Sequence, residues 1–261
     1  MKNLKDLKVE NKIPAEPQNN LYKVEVKVDK AGRLSLPPEI LAQLGAAPGA
    51  SLHLVKEFGQ VRLEPNLHAL RRLYLEPTTA CNLSCQTCIR HTWSEAPGFI
   101  SRELVKKVSS ELKDFPFLQS IMLAGFGEPL VHRDIAWIVE RLKTASSASI
   151  ELTTNGTLLD ETMAGSLLEA GLDRLWVSFD GSSETSFNDI RRGASFNFVL
   201  QNVQRIRDLA AGRNKPFSLG ISFVVMRDNI NELKNIERLI EATGADSLLL
   251  TNVLPYTEDI E

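Results

Sequence analysis

Outside one octapeptide the chain has no cysteine. All three of its cysteines, Cys81, Cys85 and Cys88, fall in "CNLSCQTC", within 261 residues. That shortage excludes a disulfide framework, which wants an even count in a small secreted chain, and a closed zinc site built from four thiolates. Long apolar runs are missing too. Hydrophobic residues make up 43% of the chain, yet no stretch approaches the roughly 20 residues of a membrane-spanning helix, so a soluble chain with a sizeable core and no membrane partner is expected. The opening "MKNLKDLKVENKIP" lacks the apolar centre of a signal peptide. A cytoplasmic, reducing setting is therefore expected, where thiols serve as metal ligands or catalysts more often than as cross-links. Basic excess is absent as well: a formal charge of -3 gives no general hold on nucleic acid.

What is present divides the chain in two. Residues 1–20 alternate charge around Pro14 and Pro17 and read as a flexible leader. Residues 21–66 then form a small unit. Val24, Val26 and Val28 alternate as in a strand, "KAGR" breaks the run for a turn, and Leu34 and Leu36 resume it. "PPEILAQLG" suits a short helix with proline in its first turn and Gly45 after its last. A second hairpin is predicted from Leu52, Leu54, Val61 and Leu63 around Gly59. Over residues 23–65, with "VDKAGRLSLPPEI" its most specific phrase, this order resembles the AbrB/SpoVT swapped-hairpin barrel. The resemblance implies an intertwined homodimer and allows DNA binding. Lys23, Lys27, Lys30, Arg33, Lys56 and Arg62 stand against Glu25, Asp29, Glu39, Glu57 and Glu64, a thin balance for gripping phosphates, so dimerisation or docking is the favoured role.

From residue 70 to 261 strands and helices alternate. "RRLYLEP", "QSIMLAG", "ASIELTTN", "DRLWVSFD", "PFSLGISFVV" and "DSLLLTNV" have the Leu, Ile and Val content of buried parallel strands. Ile135, Ile138, Val139 and Leu142 mark one helical stripe, and Val199, Val203, Ile206 and Ala210 another. Asp160 and Asn231 are expected N-caps, each helix closed by a glycine. The pattern predicts an α/β fold with right-handed crossovers, as a partial barrel or a doubly wound sheet. "LLLTNVLPYTEDIE" shows no closing helix, and the coding sequence is expected to continue past it.

The cysteine loop follows the first of these strands, on the face where barrel enzymes build their sites. Three thiolates leave one iron of a [4Fe-4S] cluster open, since simple electron carriers use four. His91 offers the competing reading, a Cys3His zinc site. The C-x3-C-x2-C loop after a first strand resembles the radical S-adenosylmethionine (SAM) superfamily over roughly residues 71–256. That resemblance implies a partial (β/α)6 TIM-type barrel in which Cys81, Cys85 and Cys88 hold the cluster. It implies too that the open iron chelates SAM, and that an electron splits SAM to a 5'-deoxyadenosyl radical. The residue before the last cysteine is commonly aromatic in the family; here it is Thr87.

Further strand ends carry further resemblance. "AGFGEPL" is similar to the family's "GGEP" segment, with Phe126 replacing a glycine, and implies that Gly125, Gly127 and Glu128 contact the SAM amino group. "TTNGTLL" implies Asn155 as a contact, "WVSFDG" implies Ser178, and Arg191 in "FNDIRRG" would pair with the SAM carboxylate, with Arg192 as the alternative. Asp180 is expected to cap the following turn.

These segments together with the front unit resemble the radical SAM maturases associated with tungsten-cofactor oxidoreductases. Those belong to a group with a cysteine-rich C-terminal SPASM domain, and this chain has no cysteine after Cys88. The expected function is an enzyme that modifies a peptide, protein or cofactor precursor and draws electrons from a donor such as a ferredoxin or flavodoxin. The alternatives are a DNA-binding regulator with an iron-sulfur redox sensor and a zinc-stabilised interaction protein.

Overall fold

The computed structural model describes residues 26–44, 46, 52–57, 59–65, 70–213 and 215–254. It divides into two compact units, residues 1–64 and 65–261. The leader, Val24 and Gly45 lie outside the described residues.

In the first unit the turn anticipated at "KAGR" forms between Val28 and Leu34, which meet in one antiparallel bridge. Asp29 Oδ1 accepts from the Ala31 and Arg33 amides, both at 2.8 Å, and Gly32 supplies the left-handed residue at φ +78°. Helix α1, Pro38–Gln43, starts on proline because the first turn needs no intrahelical donor there. Strands β1, Leu52–Glu57, and β2, Gln60–Pro65, form a two-stranded hairpin around Gly59. Two of its apolar side chains lie largely in solvent, Leu54 at 68% exposure and Val61 at 63%.

The second unit is a six-stranded parallel sheet: β3 Arg72–Leu75, β4 Ser120–Leu123, β5 Ser149–Thr154, β6 Arg174–Ser178, β7 Ser218–Val225 and β8 Ser247–Asn252. All six strands were anticipated. Their spatial order equals their sequence order. A doubly wound sheet would reverse order at a switch point; this one does not, and the partial barrel is the architecture.

Alternation divides the sheet into two faces. Ile121, Leu123, Ile150, Leu152, Leu175, Val177, Leu219 and Ile221 are fully buried on the face covered by helices, each contributing about 1.5–3 kcal/mol of burial as an upper estimate. Helix α3, Ile135–Ala145, buries the predicted stripe Ile135, Ile138, Val139 and Leu142, and α6, Phe196–Ala211, buries Val199, Val203 and Ile206. The opposite, inner face carries Met122, Glu151, Thr153, Arg174, Trp176, Ser178, Gly220 and Ser222. There Trp176 lies across Gly220, where a Cβ would overlap its ring, and donates Nε1–H to Glu151 Oε2 at 3.0 Å.

The remaining helices are α2 Arg102–Glu111, α4 Glu161–Ala170, α5 Glu184–Ile190 and α7 Ile236–Thr243. Asp160 caps α4 by accepting from Met163 N at 2.8 Å, and Gly171 and Gly244 close α4 and α7 in the left-handed region. Asn231 is a correction. It lies inside a 3-10 turn, Ile230–Asn235, and α7 begins after it, with Asn235 at its N-cap position. The turn is pulled tight because Asn229 donates to the Asp180 and Val224 carbonyls, while Glu232 accepts from Ser182 and Ser183. Among the described residues no helix is long and apolar enough to cross a membrane.

Candidate metal and cofactor site

The cysteine loop leaves the C-terminal end of β3 and is held by backbone bonds to later parts of the chain. Ser84 N donates to Arg192 O at 3.2 Å and Gln86 N to Ile190 O at 2.8 Å, tying the loop to the end of α5. Glu128 N donates to Ala80 O at 2.8 Å. Gly127 makes that last approach possible, because a Cβ there would overlap the Thr78 carbonyl oxygen. Gly125 stands against Glu76, whose Oε1 accepts from Phe126 N at 2.5 Å.

The three thiols are free and half-buried. Burial raises the Cys81 and Cys85 thiols above their ordinary range, so at neutral pH they keep their protons until a cationic centre displaces them. Among the described residues no three His, Cys, Asp or Glu side chains surround a single-ion position. His91, the fourth ligand of the zinc reading, places Nε2 2.8 Å from the Cys85 carbonyl oxygen. The donor set suits a group bound by sulfur at three corners: three thiols on one loop, all at the open end of the sheet, with a cationic side chain beside Cys85.

That cation is Arg191, just past α5. Its side chain is 12% exposed and pairs through NH2 with Asp180 Oδ2 at 2.8 Å; Asp180 is 5% exposed. Burial opposes the charge, but Asp180, with Cys85 and Glu128 nearby, outweighs it and lifts the guanidinium above its usual range. Arg191 therefore does not wait for a cofactor carboxylate alone, as the motif led us to expect: the protein already supplies one. Its Nε is buried without a partner, and a buried orphan donor of this kind marks where a further acceptor fits. Asp180 does not cap the following turn as expected: its Oδ1 accepts from Val224 N at 3.0 Å and its Oδ2 pairs with Arg191. Arg192 is exposed and enters through its carbonyl.

Glu128 is buried and fully engaged. Oε1 accepts from Thr154 Oγ1 at 2.7 Å and Leu130 N at 3.0 Å, and Oε2 accepts from Asn155 N at 2.7 Å. Burial pushes its carboxyl up, against the pull of those donors. Asn155, also buried, places its side-chain amide against the cysteine loop. Ser178 ends β6 on the inner face, paired in register with Ser222. The structure thus brings Gly127, Glu128, Asn155 and Arg191 around the cysteine loop. Sequence reasoning missed Asn82, Thr154 and Thr157 as its supports, because such polar loop residues look alike until their partners are known.

The Radical SAM superfamily profile matches residues 75–240. The "Tungsten-containing aldehyde ferredoxin oxidoreductase cofactor-modifying protein" of Pyrococcus furiosus is 31% identical over 194 residues, 73% of this chain and 53% of that protein. A "Probable GTP 3',8-cyclase" of Methanothermobacter thermautotrophicus is 39% identical over 174 residues, 66% of this chain and 54% of that one. The chain thus spans about half the length of these curated relatives. Among solved structures, anSMEcpe with bound AdoMet superposes with a TM-score of 0.60 at 22% identity, covering 72% of this chain and 53% of that one. Streptococcus suis SuiB bound to precursor peptide SuiA gives 0.60 at 14% identity, covering 83% and 52%. At such identities the likeness concerns the fold.

Proposed function

The chain belongs to the radical SAM superfamily, and on that premise we propose that it is the catalytic barrel of an enzyme that modifies a peptide, protein or cofactor precursor. Once bound, a [4Fe-4S] cluster and SAM supply one-electron cleavage of the sulfonium and hydrogen abstraction from an unactivated carbon. Cys81, Cys85 and Cys88 are the cluster ligands in this reading. The observation that carries it is the loop itself: three free thiols at the C-terminal end of β3, fixed by main-chain bonds to residues 190 and 192.

The chain's own groups then have separate tasks. Gly127 lets the β4 loop close against the cysteine loop. Glu128 holds the Thr154–Asn155 corner in place. Arg191 keeps positive charge beside Cys85 and retains a buried, unpartnered donor, Nε, for an anionic group of the cofactor. Gly125, Asn155 and Ser178 complete the proposed cofactor surroundings. The inner face bearing Met122, Thr153, Ser178 and Ser222 is the proposed substrate wall, its floor closed by Trp176. A relative named for cofactor modification in a tungsten oxidoreductase, and a neighbour solved with a precursor peptide, favour a maturation role over a DNA-binding sensor. A low-potential donor such as a ferredoxin or flavodoxin, in a reducing cytoplasm, completes the proposal.

The front unit is proposed to be an AbrB-like dimerisation module. Val28, Leu34, Leu54 and Val61 stand exposed on its hairpins, the condition a second copy would relieve.

The test is anaerobic reconstitution followed by iron and sulfide analysis and SAM cleavage with dithionite as reductant. About four irons per chain and an absorption near 400 nm are expected, both lost in Cys85→Ala. Retention of the cluster in that variant would overturn the assignment, and stoichiometric zinc would favour the interaction protein.

A further inference from the structure

Asn155 holds its side-chain amide in one orientation. Its Oδ1 accepts from Thr157 N at 2.9 Å and from Thr157 Oγ1 at 2.6 Å. With the oxygen so occupied, the nitrogen faces the cysteine loop: Nδ2 donates to Asn82 Oδ1 at 3.0 Å and lies 3.9 Å from Cys81 Sγ. Asn82 returns a bond from its Nδ2 to Thr157 Oγ1 at 2.8 Å. The three side chains close a ring in which both hydrogens of the Asn155 amide have a place, one of them on sulfur. Asn155 is 5% exposed and its main chain is fixed by Glu128, so water does not compete for that hydrogen. Cys81 Sγ also accepts from Leu83 N at 3.5 Å. Among the described residues, the sulfurs of Cys85 and Cys88 accept no such bond.

We infer that Asn155 is a positioning residue that directs an N–H dipole onto the Cys81 sulfur and thereby raises the reduction potential of the cluster bound there. The inference rests on the reading of Cys81 as a cluster ligand. The physical reason is charge. A donor pointing at a ligating thiolate stabilises the reduced cluster, one electron more negative, more than the oxidised one. The electron comes from an external one-electron donor, dithionite in the experiment.

The experiment is an anaerobic redox titration of the reconstituted chain, followed by electron paramagnetic resonance, with iron counted in every sample. Asn155→Asp keeps the shape and the Thr157 contacts but replaces the N–H donor by oxygen and adds a negative charge; Asn155→Ala removes the donor with no added charge and is the arm that isolates it. Thr157→Val keeps the backbone bond to Asn155 Oδ1 but removes the hydroxyl that holds both Asn155 Oδ1 and Asn82 Nδ2, loosening the amide while leaving Asn155 in place. Iron content should match wild type in all three. The ratio of reduced to oxidised cluster at a fixed potential should fall about tenfold in Asn155→Asp, equivalent to about 59 mV for one electron, and less in Asn155→Ala and Thr157→Val. An unchanged potential in Asn155→Ala and Thr157→Val overturns the inference whatever Asn155→Asp does, because a shift confined to Asp reports its added charge. Loss of iron from both Asn155 variants with no shift in Thr157→Val overturns it too, leaving Asn155 a purely structural residue. Failure of the wild-type chain to bind iron would refute the ligand reading instead.

Discussion

A single ion pair decides much of the site's behaviour. Arg191 and Asp180 are both nearly buried, at 12% and 5% side-chain exposure, and removing one partner strands the other. Arg191→Ala should therefore destabilise the cluster-free protein by about 3–5 kcal/mol, measured by urea unfolding. Asp180→Asn keeps an acceptor for Val224 N but loses the charge, and the double variant should cost less than the sum of the singles. Additive effects would mean that the two side chains do not act as a pair. The motif pointed to Arg191 but not to this partner. An arginine near a strand end announces an anion; only the packed chain shows that a protein carboxylate has claimed one side of it and left Nε over.

At the scale of elements, all six strands of the parallel sheet and the stripes of α3 and α6 were legible, because two-residue and 3.6-residue periods are properties of one segment. Helix α2 was not anticipated: its ten residues include a single buried apolar side chain, Val105. Nor was α5, seven residues long and defined by its Ser183 cap. Glycines show the same division between what one segment reveals and what its neighbours impose. Gly127 is pressed against the Thr78 carbonyl oxygen, whereas Gly165, inside α4, has nothing within 4 Å of an added Cβ. Gly127→Ala should displace the β4 loop and impair iron incorporation. Gly165→Ala should raise stability by up to about 1 kcal/mol without touching iron content. Thermal unfolding and iron assays check both, and a Gly127→Ala protein with full iron would show that the loop contact is not needed.

For the molecule as a whole, the two units pose different problems. The parallel sheet buries one face under its own helices, while the front hairpins leave alternate apolar residues in water. Sedimentation should find a dimer that becomes a monomer when residues 1–66 are removed; a deleted protein that remains dimeric would place the contact elsewhere. The sheet's sequential strand order has a consequence for synthesis. Each βα unit lays its strand beside the one made just before it, so the barrel can grow in step with the ribosome. Its thiol loop cannot be finished so early. Ser84 and Gln86 emerge near the start, but the carbonyls that hold them, at Arg192 and Ile190, are translated more than a hundred residues later. The nascent cysteines are thus left without their clamp through most of the barrel's synthesis, and metal loading belongs after translation has passed the fourth strand of the sheet.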